Sequence, residues 1–159
     1  MKKPLILLCL SGILFFSCSK KTTTPEPNFT NFKITGITIQ QMPEYNSTGA
    51  VWDYFVLPNA SVYPDVYFTL STGGNSVLQS TTTDNVKQTD LPLATNLANA
   101  FNITNLNTVY TLSLNDQDFG TSENMGSIVF KLDDYKSGFP ASISLTGSGC
   151  SVIISGSWF

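Results

Sequence analysis

Tyr110-Thr-Leu-Ser-Leu-Asn-Asp116-Gln-Asp118-Phe-Gly-Thr-Ser-Glu123-Asn-Met-Gly126 is the stretch from which the fold can be read. Its first half alternates, with Tyr110, Leu112 and Leu114 at every second position and hydroxyl residues between them. A period of two is the pattern of a strand with one face in a core. Beyond Leu114 the strand is expected to leave the core for a loop, and the same period sends Asp116 and Asp118 to one side. A further acid, Glu123, precedes Met125-Gly126, which opens the next apolar run, Ser127 to Leu132. Clustered carboxylates without cations repel one another, and a hard divalent cation relieves that repulsion. The expectation is a calcium site at the end of a β-sandwich.

Working outward, the chain is rich in Thr, Ser, Asn and β-branched residues, in short alternating runs bounded by turn signals. This composition points to an all-β sandwich. Strands are expected near Phe32 to Met42, Val51 to Leu57, Asp65 to Thr72, Ser76 to Thr82 and Ala100 to Asn105. Four more follow, near Thr108 to Asn115, Ser127 to Leu132, Ile143 to Thr146 and Ser151 to Ser157. Gly73-Gly74 predicts a tight hairpin, and Gly36 a bulge in the first strand. Leu91 to Phe101 is expected to hold one short helix. No solenoid-type repeat is present.

The N-terminus reads as a processing signal. Met1-Lys2-Lys3 is a basic start, and Leu5 to Phe16 is an apolar run too short to span a bilayer comfortably. Phe15-Phe16-Ser17-Cys18 resembles a bacterial lipobox, with Phe15 where Leu, Val or Ile is usual. That resemblance implies lipidation at Cys18 and membrane attachment through it. Residues 1–18 are thus read as a lipoprotein signal peptide and 19–28 as a solvated tether rich in Thr and Pro. Residues 29–159 form one domain. The expected location is the bacterial outer membrane, on the periplasmic face, because Ser19-Lys20-Lys21 lacks an acidic run.

Charge excludes more than it suggests. The chain has no histidine, and all eight of its cationic residues are lysines. From Phe29 onward four lysines stand against ten acids, which disfavours nucleic acid and anionic lipid headgroups. Ser-His-Asp and Cys-His catalysis and histidine-containing zinc sites are ruled out by composition. Cys150 is the one cysteine of the domain, so no disulfide can form within it, and it reads as a small buried residue. An outer-membrane barrel is also disfavoured, since counting back from Phe159 would point Ser157, Ser155 and Ser151 at lipid.

Asp116-x-Asp118, a following acid and Met125-Gly126 lie downstream of a Pro64-Asp65-Val-Tyr67-Phe-Thr-Leu70 strand. Together these motifs resemble a C2-type domain. The resemblance implies an eight-stranded antiparallel β-sandwich that often binds calcium between loops at one end. It implies that Asp65 is the second aspartate of the first loop, with Asp116 and Asp118 the pair of the third loop and Glu123 its last acid. The third loop is one residue shorter than the usual pattern, so Asn124 is a rival to Glu123. In the first loop Asn59 stands at the usual spacing before Asp65, and Asp53, further upstream, is preferred for its charge.

Calcium takes six to eight oxygens in a flexible geometry, and Asp53, Asp65, Asp116, Asp118 and Glu123 offer five carboxylates. An EF-hand does not fit the spacing after Asp116, and magnesium prefers fewer protein carboxylates. Asp84, Asp90, Asp133 and Asp134 read as solvated loop charges. Tyr63, Tyr67, Phe68, Tyr110, Phe130 and Trp158 are expected in the core. Trp52, Tyr54 and Phe55 border the first loop, where core packing is favoured over a ligand-contacting platform. The functional expectation is a non-enzymatic, membrane-anchored, calcium-binding interaction module with a glycan or envelope protein as partner. A structural envelope subunit without metal is the alternative, and a carboxylate-based glycosidase the remote third.

Overall fold

In a computed structural model of the chain the described residues are 27–53, 61–95, 97, 99–118 and 120–159. The signal segment, most of the tether, the lipobox cysteine Cys18, Tyr54, Phe55 and Asn59 lie outside them. Among the described residues nine strands run in chain order: β1 Phe32–Gln41, β2 Val66–Thr72, β3 Asn75–Gln79, β4 Leu93–Thr95, β5 Phe101–Ile103, β6 Tyr110–Asp118, β7 Thr121–Phe130, β8 Ser142–Gly147 and β9 Cys150–Trp158. All pairings are antiparallel, in two sheets that sandwich one core. One sheet has the order β3-β2-β6-β7; in the other, β1 lies beside β9 and β9 beside β8. β4 and β5 both lie along the free edge of β1, opposite Ile37–Ile39 and Phe32–Ile34 respectively. They act as one interrupted strand, so nine segments occupy eight strand positions, four to a sheet.

Side-chain phase explains the core. In β1, Phe32 and Ile34 face inward, and so do Ile37 and Ile39, although strict alternation would turn the second pair outward. The register shift between Ile34 and Gly36 corrects the phase, as the bulge expected at Gly36 requires. Gly73 and Gly74, both with positive φ, close the β2–β3 hairpin in the manner of a two-residue type I′ turn. Gly156 in β9 is required for a different reason. A Cβ there would collide with the Lys33 carbonyl and the Phe32 ring, so the close approach of β9 to β1 depends on its absence. Each fully buried large apolar side chain contributes on the order of 1.5–3 kcal/mol.

Two expectations change. Leu91 to Phe101 holds no helix among its described residues; a cis Leu91–Pro92 bond precedes β4, and Thr95 Oγ1 donates to the Ile37 carbonyl at 2.7 Å. Pairing with β1 outweighs the weak local helical preference. Val51, Trp52 and Asp53 are not in a strand, and Val51 to Leu57 otherwise falls outside the described residues.

The sandwich has two distinct poles. One holds the start of β1, the end of β9, and the segments Phe29, Asn105–Asn107 and Asp133–Asp134 around a shared depression. Here the segment before β1 clasps the residue after β9: the Thr30 and Asn31 N–H groups donate to the Phe159 carbonyl, and Phe159 N–H donates to the Asn31 carbonyl. Phe29 packs edge-on to Phe139, and Phe139 on Trp158. The other pole holds the ends of β1 and β6 and the starts of β2 and β7. Asp116 and Asp118 lie there.

Candidate metal centre

β6 does not leave the core after Leu114, contrary to the sequence expectation. Its ladder with β7 continues to Asp118 opposite Thr121, and Asp116 takes the next inward position after Leu112 and Leu114. Asp116 is 0% exposed, the one charged side chain in the core among the described residues. The shared facing of Asp116 and Asp118 holds.

Asp53 reaches the same place from another direction. Asn46 Oδ1 accepts the Thr48 and Ala50 N–H groups, folding the segment after β1 into a compact turn. Trp52 is buried, and its Nε1–H donates to the Pro43 carbonyl at 3.0 Å. That bond fixes Trp52 as core and presents Asp53 to β6. Carboxylate oxygens of Asp53, Asp116 and Asp118 then lie within 4.8 Å of one another.

Asp65 is stitched to this trio through its backbone. Its N–H donates to Asp116 Oδ1 at 2.7 Å, and its carbonyl accepts the Gln117 N–H at 2.9 Å. Its own carboxylate accepts the Asn85 N–H at 2.8 Å. The second oxygen of Asp116, Oδ2, is buried without any hydrogen-bond partner.

Glu123 stands opposite Asp116 in register but is exposed and is not one of the clustered three. Met125 is an extra residue in β7, and the phase change it causes puts Asn124 opposite Asn115 on the outer face. There the Asn124 amide lies within hydrogen-bonding distance of the Leu114 carbonyl, Asn115 and Ser127.

Solved structures of similar shape identify the fold. Over 99% of this chain a structure of the two C2 domains of Extended-Synaptotagmin 2 superposes with a TM-score of 0.55 at 14% identity, covering 48% of that chain. A calcium-bound form of those domains matches with a TM-score of 0.51 at 15% identity, over 83% of this chain and 46% of that one. Human GIVD cytosolic phospholipase A2, solved with an inhibitor and terbium chloride, matches at 0.50 and 11% identity, over 82% and 17%. The fold is a C2-type β-sandwich. The chain spans about half the length of the first two structures, and at these identities the likeness concerns the fold alone. No protein-family model matches the sequence, and no curated protein matches it.

Within this C2-type sandwich the acidic pole is electrostatically strained. Burial pushes the Asp116 carboxyl up to about 7; Asp53, Asp118 and Asp65 push it the same way, and the Asp65 N–H opposes them. Asp53 is raised to about 6 by burial, by the charges of Asp65 and Asp118 and by its hydrogen bond to Asp118. Both groups hold protons in the folded state that the unfolded chain has released by about pH 5, so folding without a cation weakens as pH rises through 6 and 7.

Asp84, a solvated loop charge by the sequence reading, shares a shallow depression with Asp65, Thr82, Gln117 and Asp118. The bridge between Thr83 and Val66 and the Asn85–Asp65 bond bring it there. Asp-Asn at a turn carries no signal that separates this role from ordinary turn chemistry. Asp133 and Asp134, read from the sequence as solvated loop charges, are surface charges that pair with lysines, at 2.7 Å from Lys136 and 3.5 Å from Lys131.

Proposed function

We propose that this chain is a non-enzymatic, membrane-anchored lipoprotein whose C2-type domain binds calcium at its acidic pole. The single observation that carries the metal reading is Asp116: a fully buried carboxylate with one orphaned oxygen, beside Asp53 and Asp118, and with no lysine among the described residues paired to it. A buried charge left unpaired in this way is costly, and a divalent cation is the partner that would satisfy three carboxylates at once. All-oxygen donors without His or thiolate fit a hard cation, and the number of carboxylates favours calcium over magnesium. Asp53, Asp116 and Asp118 would hold the ion, with Asp65 beside them and Asp84 and Glu123 at the rim. Bound calcium would supply charge neutralisation and an open coordination position for a ligand oxygen. The calcium-bound state of a structure with the same fold supports this reading.

Cys18 as lipid anchor, the periplasmic face of a bacterial outer membrane and a glycan or envelope protein partner complete the proposal. They rest on the lipobox-like Phe15-Phe16-Ser17-Cys18 and on the scarcity of cations in the domain. The test is thermal: calcium should raise the melting temperature of the full chain purified in detergent, and the Asp116→Asn, Asp118→Asn double variant should not respond. A wild-type chain indifferent to millimolar calcium would refute the metal. Cys18→Ala should release the chain from membranes; continued membrane association would refute the anchor.

A further inference from the structure

The three clustered aspartates are held by different means. Asp116 and Asp118 sit in a ladder, Asp116 opposite Val66 of β2 and Glu123 of β7, Asp118 opposite Thr121. Asp53 belongs to no strand. It ends an arm, residues 43–53, that leaves β1 and returns to the metal centre. Two features shape this arm among its described residues. At the tip, Asn46 N–H donates to the Ala50 carbonyl at 2.9 Å, and Asn46 Oδ1 accepts from Thr48 and Ala50, so the chain reverses. At the base, the buried Trp52 indole donates Nε1–H to the Pro43 carbonyl at 3.0 Å, bridging the first and next-to-last residues of the arm.

The base of the arm is tied in turn to the rest of the site. Gln88 Nε2 donates to the Met42 carbonyl at 3.1 Å. From the same segment Val86 N–H donates to the Pro64 carbonyl and Asn85 N–H to the Asp65 carboxylate, both at 2.8 Å. Asp65 N–H donates to Asp116 Oδ1. These bonds form a closed frame: Asp116 to Asp65, Asp65 to residues 85–88, those residues to the end of β1, and Trp52 back to Asp53. Tyr63, which the sequence places in the core, is turned outward beside this frame. The Trp52 bond is the link that carries the frame to Asp53. A phenyl ring would fill much of the same buried space, but it has no N–H for the Pro43 carbonyl. Without that bond the base of the arm is freer, and Asp53 must be ordered at the moment a cation binds. A ligand group already ordered spares that cost and binds more tightly.

We propose that Trp52 is a positioning residue for calcium, setting the affinity of the site through Asp53 without touching the ion. The proposal rests on the calcium reading above and names a residue outside the ligand set on which affinity depends.

The experiment is calorimetric titration with calcium of the full chain in detergent, as wild type, Trp52→Phe, Asp53→Asn and the double variant. Melting temperatures in chelator read the structural cost of each substitution separately. Asp53→Asn keeps a neutral oxygen at the site, so its weakened binding stays measurable. Trp52→Phe should raise the dissociation constant about five- to tenfold, the worth of one hydrogen bond. In the Asp53→Asn background the same substitution should raise it by less than about twofold, because the group it positions has already lost its charge. Equal losses in both backgrounds would assign Trp52 to general packing and overturn the proposal, as would an unchanged affinity in Trp52→Phe. Should Trp52→Phe fail to fold, Asn46→Ala decides. It loosens the tip of the same arm at the surface and should cost about threefold in the wild-type background alone; no loss, or an equal loss in both backgrounds, overturns the proposal. A wild-type chain that takes up no calcium removes the calcium reading as well, whereas calcium uptake with additive losses removes only the role of Trp52.

Discussion

Asp116 and Asp118 at one pole, Asp133 and Asp134 at the other, are two pairs of neighbouring acids with opposite fates. Lys136 and Lys131 reach Asp133 and Asp134, which lie at the surface beside the clasp of Asn31 and Phe159. No lysine among the described residues pairs with Asp116, which lies in the core with one oxygen unsatisfied and two further aspartates against it. The same residue type is solvated surface in one place and concentrated strain in the other. Position in the fold sets the difference, because a charge in the interior feels its neighbours through a far weaker dielectric screen.

The contrast between the poles is probed most forcefully at the one that holds the start of β1 and the end of β9. Phe32→Ala there removes a fully buried ring and should cost about 3–5 kcal/mol, lowering the melting temperature by roughly 10–20 °C. If the poles are separable, denaturation curves of this variant will still shift upward with calcium. At the acidic pole, calcium at a hundredfold over its dissociation constant should stabilise the wild type by about 2.7 kcal/mol, read as a melting shift that the double Asp→Asn variant lacks.

The next effect is one of pH. Metal-free chain should lose stability between pH 5 and pH 8, because Asp53 and Asp116 must give up protons there that the unfolded state no longer holds. Saturating calcium should flatten that dependence, and Asp116→Asn should flatten most of it without calcium. Melting curves across that range decide the matter; a metal-free chain that gains stability toward pH 8 contradicts the unpaired-charge account. Smallest of all, Lys136→Met should change stability by no more than about 0.5 kcal/mol, since the ion pair it removes is exposed.

Much of this contrast could be read from the sequence, and the remainder has a physical reason for being hidden. Alternation in Tyr110 to Leu114 gives the strand, and its period gives the common facing of Asp116 and Asp118. Burial of Asp116 could not be foreseen, because an acid after an apolar run looks the same whether the strand ends or continues inward. What buries it is the start of β2 and the turn before Asp53, which approach from far along the chain. Asp84 is hidden on the same ground. The extra residue at Met125 likewise exchanges the faces of Glu123 and Asn124, setting Glu123 opposite Asp116 and Asn124 opposite Asn115, through a phase change that no local pattern announces. Tyr63 faces outward because it precedes β2 and so falls outside the alternation that placed Phe68 in the core.

The clasp of Asn31 and Phe159 carries a mechanical consequence. β1 begins and β9 ends at one pole, and the proposed metal site occupies the other, so tension between the poles runs parallel to the strands. β1 and β9, paired antiparallel from Phe32 to Gln41, would meet that tension in shear, with the ladder bonds perpendicular to the pull and loaded together. Tension applied between the two ends themselves would open the same ladder from Phe32–Trp158 inward, one pair at a time. The domain is therefore built as a strong link from end to tip and a weak one across its own termini.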